Sequence, residues 1–172
     1  MSPLRSRYLG VALTALALLS PGCAGYRLGS MLPPDIKSVA VPTFVNRTTE
    51  PLAEVEATRA VIQEFQKDGS LKVMPEGQAD AVLRVTLTDY DLSPVSYRSD
   101  KRTAAREYRV TMLASVELVR SSDQAVVARH PRAKGEAVFE LSGDLSSAKL
   151  LSLPEASEDL AHNIVEKVVE AW

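Results

Sequence analysis

Five basic side chains gather in one short stretch of this chain. Arg98, Lys101, Arg102, Arg106 and Arg109 lie between Val95 and Arg109, opposed only by Asp100 and Glu107, a local excess of +3 in a chain whose overall charge is negative. Guanidinium groups can hold phosphate oxygens in a two-pronged hydrogen bond, and local positive charge steers anions toward itself. The stretch therefore suits contact with a polyanion, with Arg98, Lys101, Arg102 and Arg106 as candidates. The competing reading is a set of solvated charges on a long, flexible hairpin loop. Arg129, Arg132 and Lys134 on the following strand would adjoin the cluster if the two strands pair as a hairpin. Other reactive chemistry is hard to assemble. His130 precedes Pro131 at a strand bend and His162 falls on a solvated helix face, and neither has cysteines or carboxylates at ligand spacing. No glycine-rich phosphate loop occurs. The sequence offers no catalytic residue, no metal site and no cofactor site, and an enzyme is not expected.

The remaining reactive group is the only cysteine, Cys23. It closes a segment in which Arg5 and Arg7 precede an apolar run from Tyr8 to Leu19, followed by Ser20, Pro21 and Gly22. A charged start, about a dozen apolar residues and a small residue before the cut form a secretory signal peptide. The run is shorter than the roughly 20 apolar residues a membrane-spanning helix needs. A thiol at that junction looks like a bacterial lipobox, in which Cys23 is lipidated and becomes the mature N-terminus. Ser20 stands where that motif usually has leucine. Ordinary cleavage near Gly22 is the alternative, but it leaves an exported thiol unpaired. Ala24 follows Cys23 with no aspartate there to act as an inner-membrane retention signal, so the outer membrane is the expected destination.

Cleavage before Cys23 leaves 150 residues with 18 basic and 22 acidic side chains, a net charge of about −4. That length builds one ordinary domain. Nucleic acid is not an expected partner, because phosphate binding on that scale needs a basic excess over the whole domain. No intramolecular disulfide can form.

The elements that must position these residues follow from hydrophobic periodicity. Residues 23–35 form a lipidated N-terminus and tether, and 36–172 a single domain. Ile36 to Phe44 reads as a buried strand ending near Pro42, which cannot donate to a ladder. Pro51 opens a helix that Gly69 terminates, with Val55, Ile62 and Phe65, and Ala57 and Val61 beside them, as its apolar stripe. Leu71 to Met74 is a short apolar piece. Ala81, Leu83, Val85 and Leu87 alternate with polar residues, as do Tyr108 to Leu118, and both read as half-buried strands. A partner strand through Ala137, Phe139 and Leu141 is bent near Pro131. Ser142 to Ser152 reads as a loop, and Ser152 with Glu155 as a capping box ahead of a last helix with Pro154 in its first turn. Leu160, Ile164, Val165, Val168 and Trp172 form that helix's apolar face. The expected architecture is α+β: strand, helix, three strands, helix, with both helices on one face of a mixed four-stranded sheet.

Several stretches carry a family resemblance. Gly25-Tyr26-Arg27-Leu28, then Leu32-Pro33-Pro34-Asp35-Ile36-Lys37-Ser38-Val39-Ala40-Val41-Pro42-Thr43-Phe44-Val45-Asn46-Arg47-Thr48, and Glu54-Val55-Glu56-Ala57-Thr58-Arg59-Ala60 on to Asp68-Gly69, resemble the lipopolysaccharide-assembly lipoproteins, the LptE family. The resemblance implies a small non-enzymatic α+β domain, lipid-anchored to the outer membrane and facing the periplasm. It implies two partners: the LptD-type outer-membrane β-barrel, which such a domain plugs and helps to fold, and lipopolysaccharide, met by basic residues at one end of the domain. A buried Val-Ala-Val strand followed by Phe-x-Asn also occurs in envelope adaptor lipoproteins of peptidoglycan-synthesis and secretion machines, which are the alternative.

Overall fold

The computed structural model of the chain describes residues 32–98, 101–140 and 144–170. The signal segment, Cys23, most of the expected tether and Trp172 lie outside the described residues. The elements run β1 Ser38–Ala40, β2 Val45–Asn46, α1 Ala53–Asp68, β3 Lys72–Val73, β4 Ala81–Arg98, β5 Lys101–Arg120, β6 Val126–Glu140 and α2 Leu145–Val169. The sheet is ordered β3-β1-β4-β5-β6, with β2 beside β4. β1 is parallel to β3 and β4, β2 is parallel to β4, and β4, β5 and β6 form an antiparallel meander. This is the expected α+β class with six strands instead of four, the additions being two-residue pieces. One of them, β2, arises from Pro42. Ala40 pairs with Val82 and Val45 with Thr86, so five residues of the outer chain pass four on β4 and the ladder breaks between them.

The core lies on one face of the sheet. Val110, Met112, Ala114, Val116 and Leu118 of β5 are all buried, and their odd-numbered neighbours less so. On β4 the core-facing buried residues are Ala81, Leu83, Val85 and Leu87, while Val82 joins a small second cluster with Ala40 and Ala79; Thr88 is then an extra residue between the pairs Leu87–Ala114 and Asp89–Leu113. That bulge flips the phase, so Tyr90 and Leu92 now pack against the core. Thr88 spends its hydroxyl on the Leu113 carbonyl at 3.2 Å. On β6 a second shift, between Ala114–Ala133 and Val116–His130, falls at Pro131 as the sequence suggests.

Helix α1 ends at Gly69 (φ 75°), whose N–H donates to the Phe65 carbonyl at 3.0 Å. Its buried face is Ala53, Ala57, Thr58, Ala60, Val61 and Phe65. The expected stripe is thus partly wrong: Val55 is 49% exposed and Ile62 only half-buried. The helix packs on α2 as well as on the sheet, and alanines permit that close approach where longer side chains would hold the helices apart. It begins at Ala53, after Leu52 in the left-handed region (φ 66°), a conformation costing about 1–2 kcal/mol for a residue with a Cβ.

Helix α2 corrects a second expectation. It begins at Leu145, so most of the supposed loop is helical, Pro154 sits inside it, and Ser152 is no cap. The Ser152 hydroxyl instead donates to the Lys149 carbonyl at 2.9 Å. A proline usually marks a helix start because its missing N–H is harmless in the first turn. Here Leu153 and Ala156, both buried, anchor the helix on either side of it, and packing overrides the local signal. The expected face of Leu160, Ile164, Val165 and Val168 is fully buried.

α2 lies directly against β6. A Cβ built at Gly135 would stand 2.5 Å from Ala156 O and from Leu160 N and Cβ, so only glycine fits between strand and helix. From α2, Asp159 accepts the Glu136 N–H at 2.8 Å and Asn163 donates to the Lys134 carbonyl at 3.1 Å. These bonds occupy the outer groups of an edge strand that would otherwise be open to pairing. Replacing Gly135 by Val should force helix and strand apart and destabilise the domain by about 1–3 kcal/mol, the scale of core overpacking. Urea unfolding of the variant measures this, and an unchanged midpoint would contradict the packing.

Candidate functional site

The basic stretch is not a loop. Residues 94–98 of β4 and 101–107 of β5 pair with each other, Pro94 opposite Tyr108 and Arg98 opposite Lys101. On the outer side of β4 the last pair is Asn46–Leu87, and on the outer side of β5 it is Glu107–Glu140. Beyond those points the two strands pair with each other as a ribbon, with no further outer pairing among the described residues. The sequence did not reveal it, because three register shifts between Pro94 and Arg98 erase the period of two. Of the candidates, Arg98 and Lys101 face each other across residues 99–100, and Arg102 and Arg106 follow on the same strand. The backbone thus places all four on the ribbon, Lys101 to Arg106 covering about 17 Å.

The other basic residues go elsewhere. Arg129 pairs opposite Glu117 and holds it at 2.9 Å. Glu117 lies ten residues down β5 from the ribbon's base at Glu107, about 34 Å. Lys134 sits 2.8 Å from Glu136, and Arg109 3.9 Å from the same carboxylate. The hydrogen bond from Lys134, helped by one from Thr111 and by both positive charges, holds the Glu136 carboxyl below the usual range. Arg129 and Lys134 therefore do not adjoin the ribbon, and neither they nor Arg109 lack a counter-charge. They belong to an ion-paired polar face on the side of the sheet away from the helices.

His162 lies between the helices, its Nδ1 3.1 Å from Glu64 Oε1, with Lys67 Nζ 3.1 Å from the same carboxylate. The bond from His162 is the main reason the Glu64 carboxyl is lowered. His130 pairs opposite Val116. Among the described residues no three His, Cys, Asp or Glu side chains converge as metal ligands.

Two clusters near the ribbon's base were missed. Asn46, the last residue of β2, uses every hydrogen-bonding site of its side chain. Its Nδ2 donates to Glu50 O at 2.8 Å and Glu54 Oε2 at 2.7 Å, and its Oδ1 accepts from the Thr48 N–H and hydroxyl at 2.9 and 2.8 Å. Thr58 of α1 accepts the Phe44 N–H at 3.0 Å. These bonds lock the β2 to α1 connection. Next to it, buried Glu50 is ion-paired with Lys149 of α2, whose ammonium lies 5.0 Å from the Tyr90 ring centroid. Burial, with the Glu50 charge adding to it, raises the Tyr90 hydroxyl pKa, and that hydroxyl finds no hydrogen-bond partner among the described residues. In sequence Glu50 reads only as an acid near a helix start, because its partner is 99 residues away.

The sequence model of the LptE, lipopolysaccharide-assembly, family matches residues 36–170. The chain belongs to that family. Its members are non-enzymatic accessory lipoproteins of the cell envelope. A Xanthomonas campestris protein of the DUF330 family shares the fold, at 14% identity and a TM-score of 0.53 over 80% of this chain and 89% of that one. A lipoprotein of Caulobacter crescentus is similar at 10% identity and a TM-score of 0.50, covering 74% and 88%. The rare lipoprotein B of Shewanella oneidensis gives 13% identity and a TM-score of 0.46, covering 76% and 92%. No curated protein matches the chain. No helix among the described residues is long and apolar enough to cross a membrane.

Two outcomes follow from these contacts. Asn46→Ala removes four part-buried hydrogen bonds and should lower stability by about 1–3 kcal/mol, read by urea unfolding; a change within error would mean that water replaces the side chain. For pH, Glu64, Glu136, Asp80 (bonded by Ser38 and the Lys37 N–H) and Asp123 (bonded chiefly by the Ala125 N–H) all have lowered carboxyl pKa values. Each binds its proton less readily folded than unfolded. Their stabilisation is complete above the ordinary carboxylate range near pH 4 and is lost as pH falls through the lower folded values. Stability should therefore drop below about pH 4, and more gently in Asp80→Asn. Identical slopes for the two proteins would exclude Asp80 as a contributor.

Proposed function

We propose that this LptE-family chain acts in lipopolysaccharide transport and assembly at the outer membrane, as plug and folding partner of an LptD-type β-barrel, and that its ribbon contacts lipopolysaccharide. The observation that carries the contact is the ribbon itself. Its backbone pairing gathers Arg98, Lys101, Arg102 and Arg106 at one end of the sheet, past the last described outer pairs Asn46–Leu87 and Glu107–Glu140. Basic side chains concentrated at one projecting end fit a phosphorylated glycolipid. The ion-paired open face of the sheet supports the plug reading, since the lumen of a large outer-membrane barrel is polar.

Anchoring belongs to the same proposal. Cleavage before Cys23 and its lipidation would fix the chain to the inner leaflet, with residues 23–35 as tether. Asp35 is held 3.1 Å from Arg120, at the end of β5 opposite to Lys101. Twenty residues of β5 separate the tether's entry from the ribbon's tip, about 65 Å along the strand.

The first test is a pull-down of the tagged full-length chain from detergent-solubilised membranes, with masses taken of its partners and of its N-terminal peptide. A large β-barrel at equal stoichiometry and an acylated Cys23 are expected. Recovery of a peptidoglycan enzyme or a secretion subunit instead would replace the transport reading with the adaptor one. Changing Arg98, Lys101, Arg102 and Arg106 together to Ser should weaken lipopolysaccharide binding about tenfold or more and flatten its salt dependence. Unchanged affinity in a folded variant would remove the ribbon from the site.

A further inference from the structure

Three leucines stand out at the end of the domain where the ribbon begins. Leu52, Leu150 and Leu151 are 61%, 64% and 81% exposed, more than any other large apolar side chain among the described residues. They come from two segments that the Glu50–Lys149 ion pair draws together, Leu52 two residues after Glu50 and the others directly after Lys149. Leu52 is also in the left-handed region at φ 66°, at a helix start with no side-chain cap. Glycine would sit there without strain, so both backbone and solvation favour a smaller residue. Strain held at an exposed position points to a use for the side chain that folding does not supply.

The surroundings say what kind of group these leucines meet. Lys149 bridges to the half-buried Tyr90 ring of β4, so the leucines lie near the level of Tyr90. Toward the ribbon, the helix side of the sheet stays apolar: Leu92 is opposite Val110, and Tyr108 stacks on Phe139 with centroids 6.0 Å apart. Tyr90 pairs with Met112, and the nearest basic position of the ribbon, Arg106, is six residues further on, about 20 Å. That distance compares with one leaflet's depth of acyl chain, about 15 Å, plus a headgroup. From Lys101 to Arg106 the strand carries three positive charges and no acid. An apolar area and a basic one, set a lipid's length apart, complement a single anionic lipid.

We propose that Leu52, Leu150 and Leu151 form an acyl-chain contact, so that one lipopolysaccharide molecule lies along the ribbon with its phosphates on the basic residues and its chains on the leucines. The inference rests on the lipopolysaccharide reading above and extends it. An apolar segment of a partner protein is the other possible occupant, but it would leave the charge complementarity of the ribbon unused.

The test compares binding of intact and fully deacylated lipopolysaccharide to the immobilised full-length chain. Wild type should prefer the acylated form by about tenfold or more, the scale of burying exposed leucines. The double variant Leu150→Ser/Leu151→Ser should lose most of that preference while binding the deacylated form as before. Leu52→Gly should reduce the preference too, with thermal stability held or raised, which separates loss of the side chain from loss of fold. Equal binding of the two ligands by wild type, or a preference intact in both leucine variants, overturns the inference while the ribbon reading stands if the four-residue Ser variant still binds weakly. No binding of either ligand by wild type overturns both. Variants that keep the lipid preference but release a co-purifying protein would assign the leucines to that protein and overturn the inference.

Discussion

The fold rests on burying one face of a sheet and leaving most of the other polar, apart from a small cluster of Ala40, Ala79 and Val82. β5 sets the condition: its even-numbered side chains from Val110 to Leu118 are buried under two helices, and its odd-numbered ones are polar or only half covered. A period of two permits no compromise, since a slip of one residue would exchange the faces. The neighbours therefore adjust to β5. β4 inserts Thr88 to bring Tyr90 and Leu92 back to the core side, and β6 absorbs an extra residue at Pro131 so that Ala128 and Ala133 can both face inward. The helices are fitted to the same surface by reduction in size, with Gly135 between Ala133 and Ala137 under α2 and alanines along α1.

This economy explains why the ribbon is a separate object. Among the described residues, the contacts nearest the ribbon on the helix side are Lys149–Tyr90 and the Tyr108–Phe139 stack, and the last pairing on the outer side of β5 is Glu107–Glu140. An isolated two-stranded ribbon is marginally stable in water. The buried Glu50–Lys149 pair marks the boundary. It joins the starts of both helices, and the strained Leu52 follows one partner by two residues while Leu150 and Leu151 directly follow the other.

Much of this was legible in the sequence, for physical reasons that also explain the rest. β5 and the lower half of β4 announced themselves because one-sided burial writes a period of two, and Gly69 stopped α1 where a left-handed residue was needed. The four candidate basic residues do stand together in the fold, since they are close in sequence. The ribbon is hidden in the sequence because its register shifts between Pro94 and Arg98 erase the period of two. The start of α2 was misread because Pro154 and Ser152 are local signals, while the contacts of Leu153 and Ala156 that outweigh them are not local. Arg129 and Lys134 were placed near the cluster because sequence proximity carries no register. The Glu50–Lys149–Tyr90 contact could not be found at all, its members being scattered over 100 residues.

The edges of the sheet bear on how such a domain can meet a protein partner. A strand-shaped partner needs a row of unoccupied backbone groups. Along β6, Asp159 and Asn163 of α2 already bond the Glu136 N–H and the Lys134 carbonyl, and Pro131 interrupts the row below them. On the opposite side, Pro42 has no N–H to offer, Thr58 accepts the Phe44 N–H, and β3 shields β1 with only two residues. Both edges of the body are thus blunted by side chains and proline, the devices that keep β-proteins from pairing with one another. This weighs against an adaptor working by strand addition to the body. A partner would instead meet the ion-paired open face, the outer surface of the helices, or the ribbon. A surrounding wall reaches all three at once, and the polar lumen of a β-barrel is such a wall.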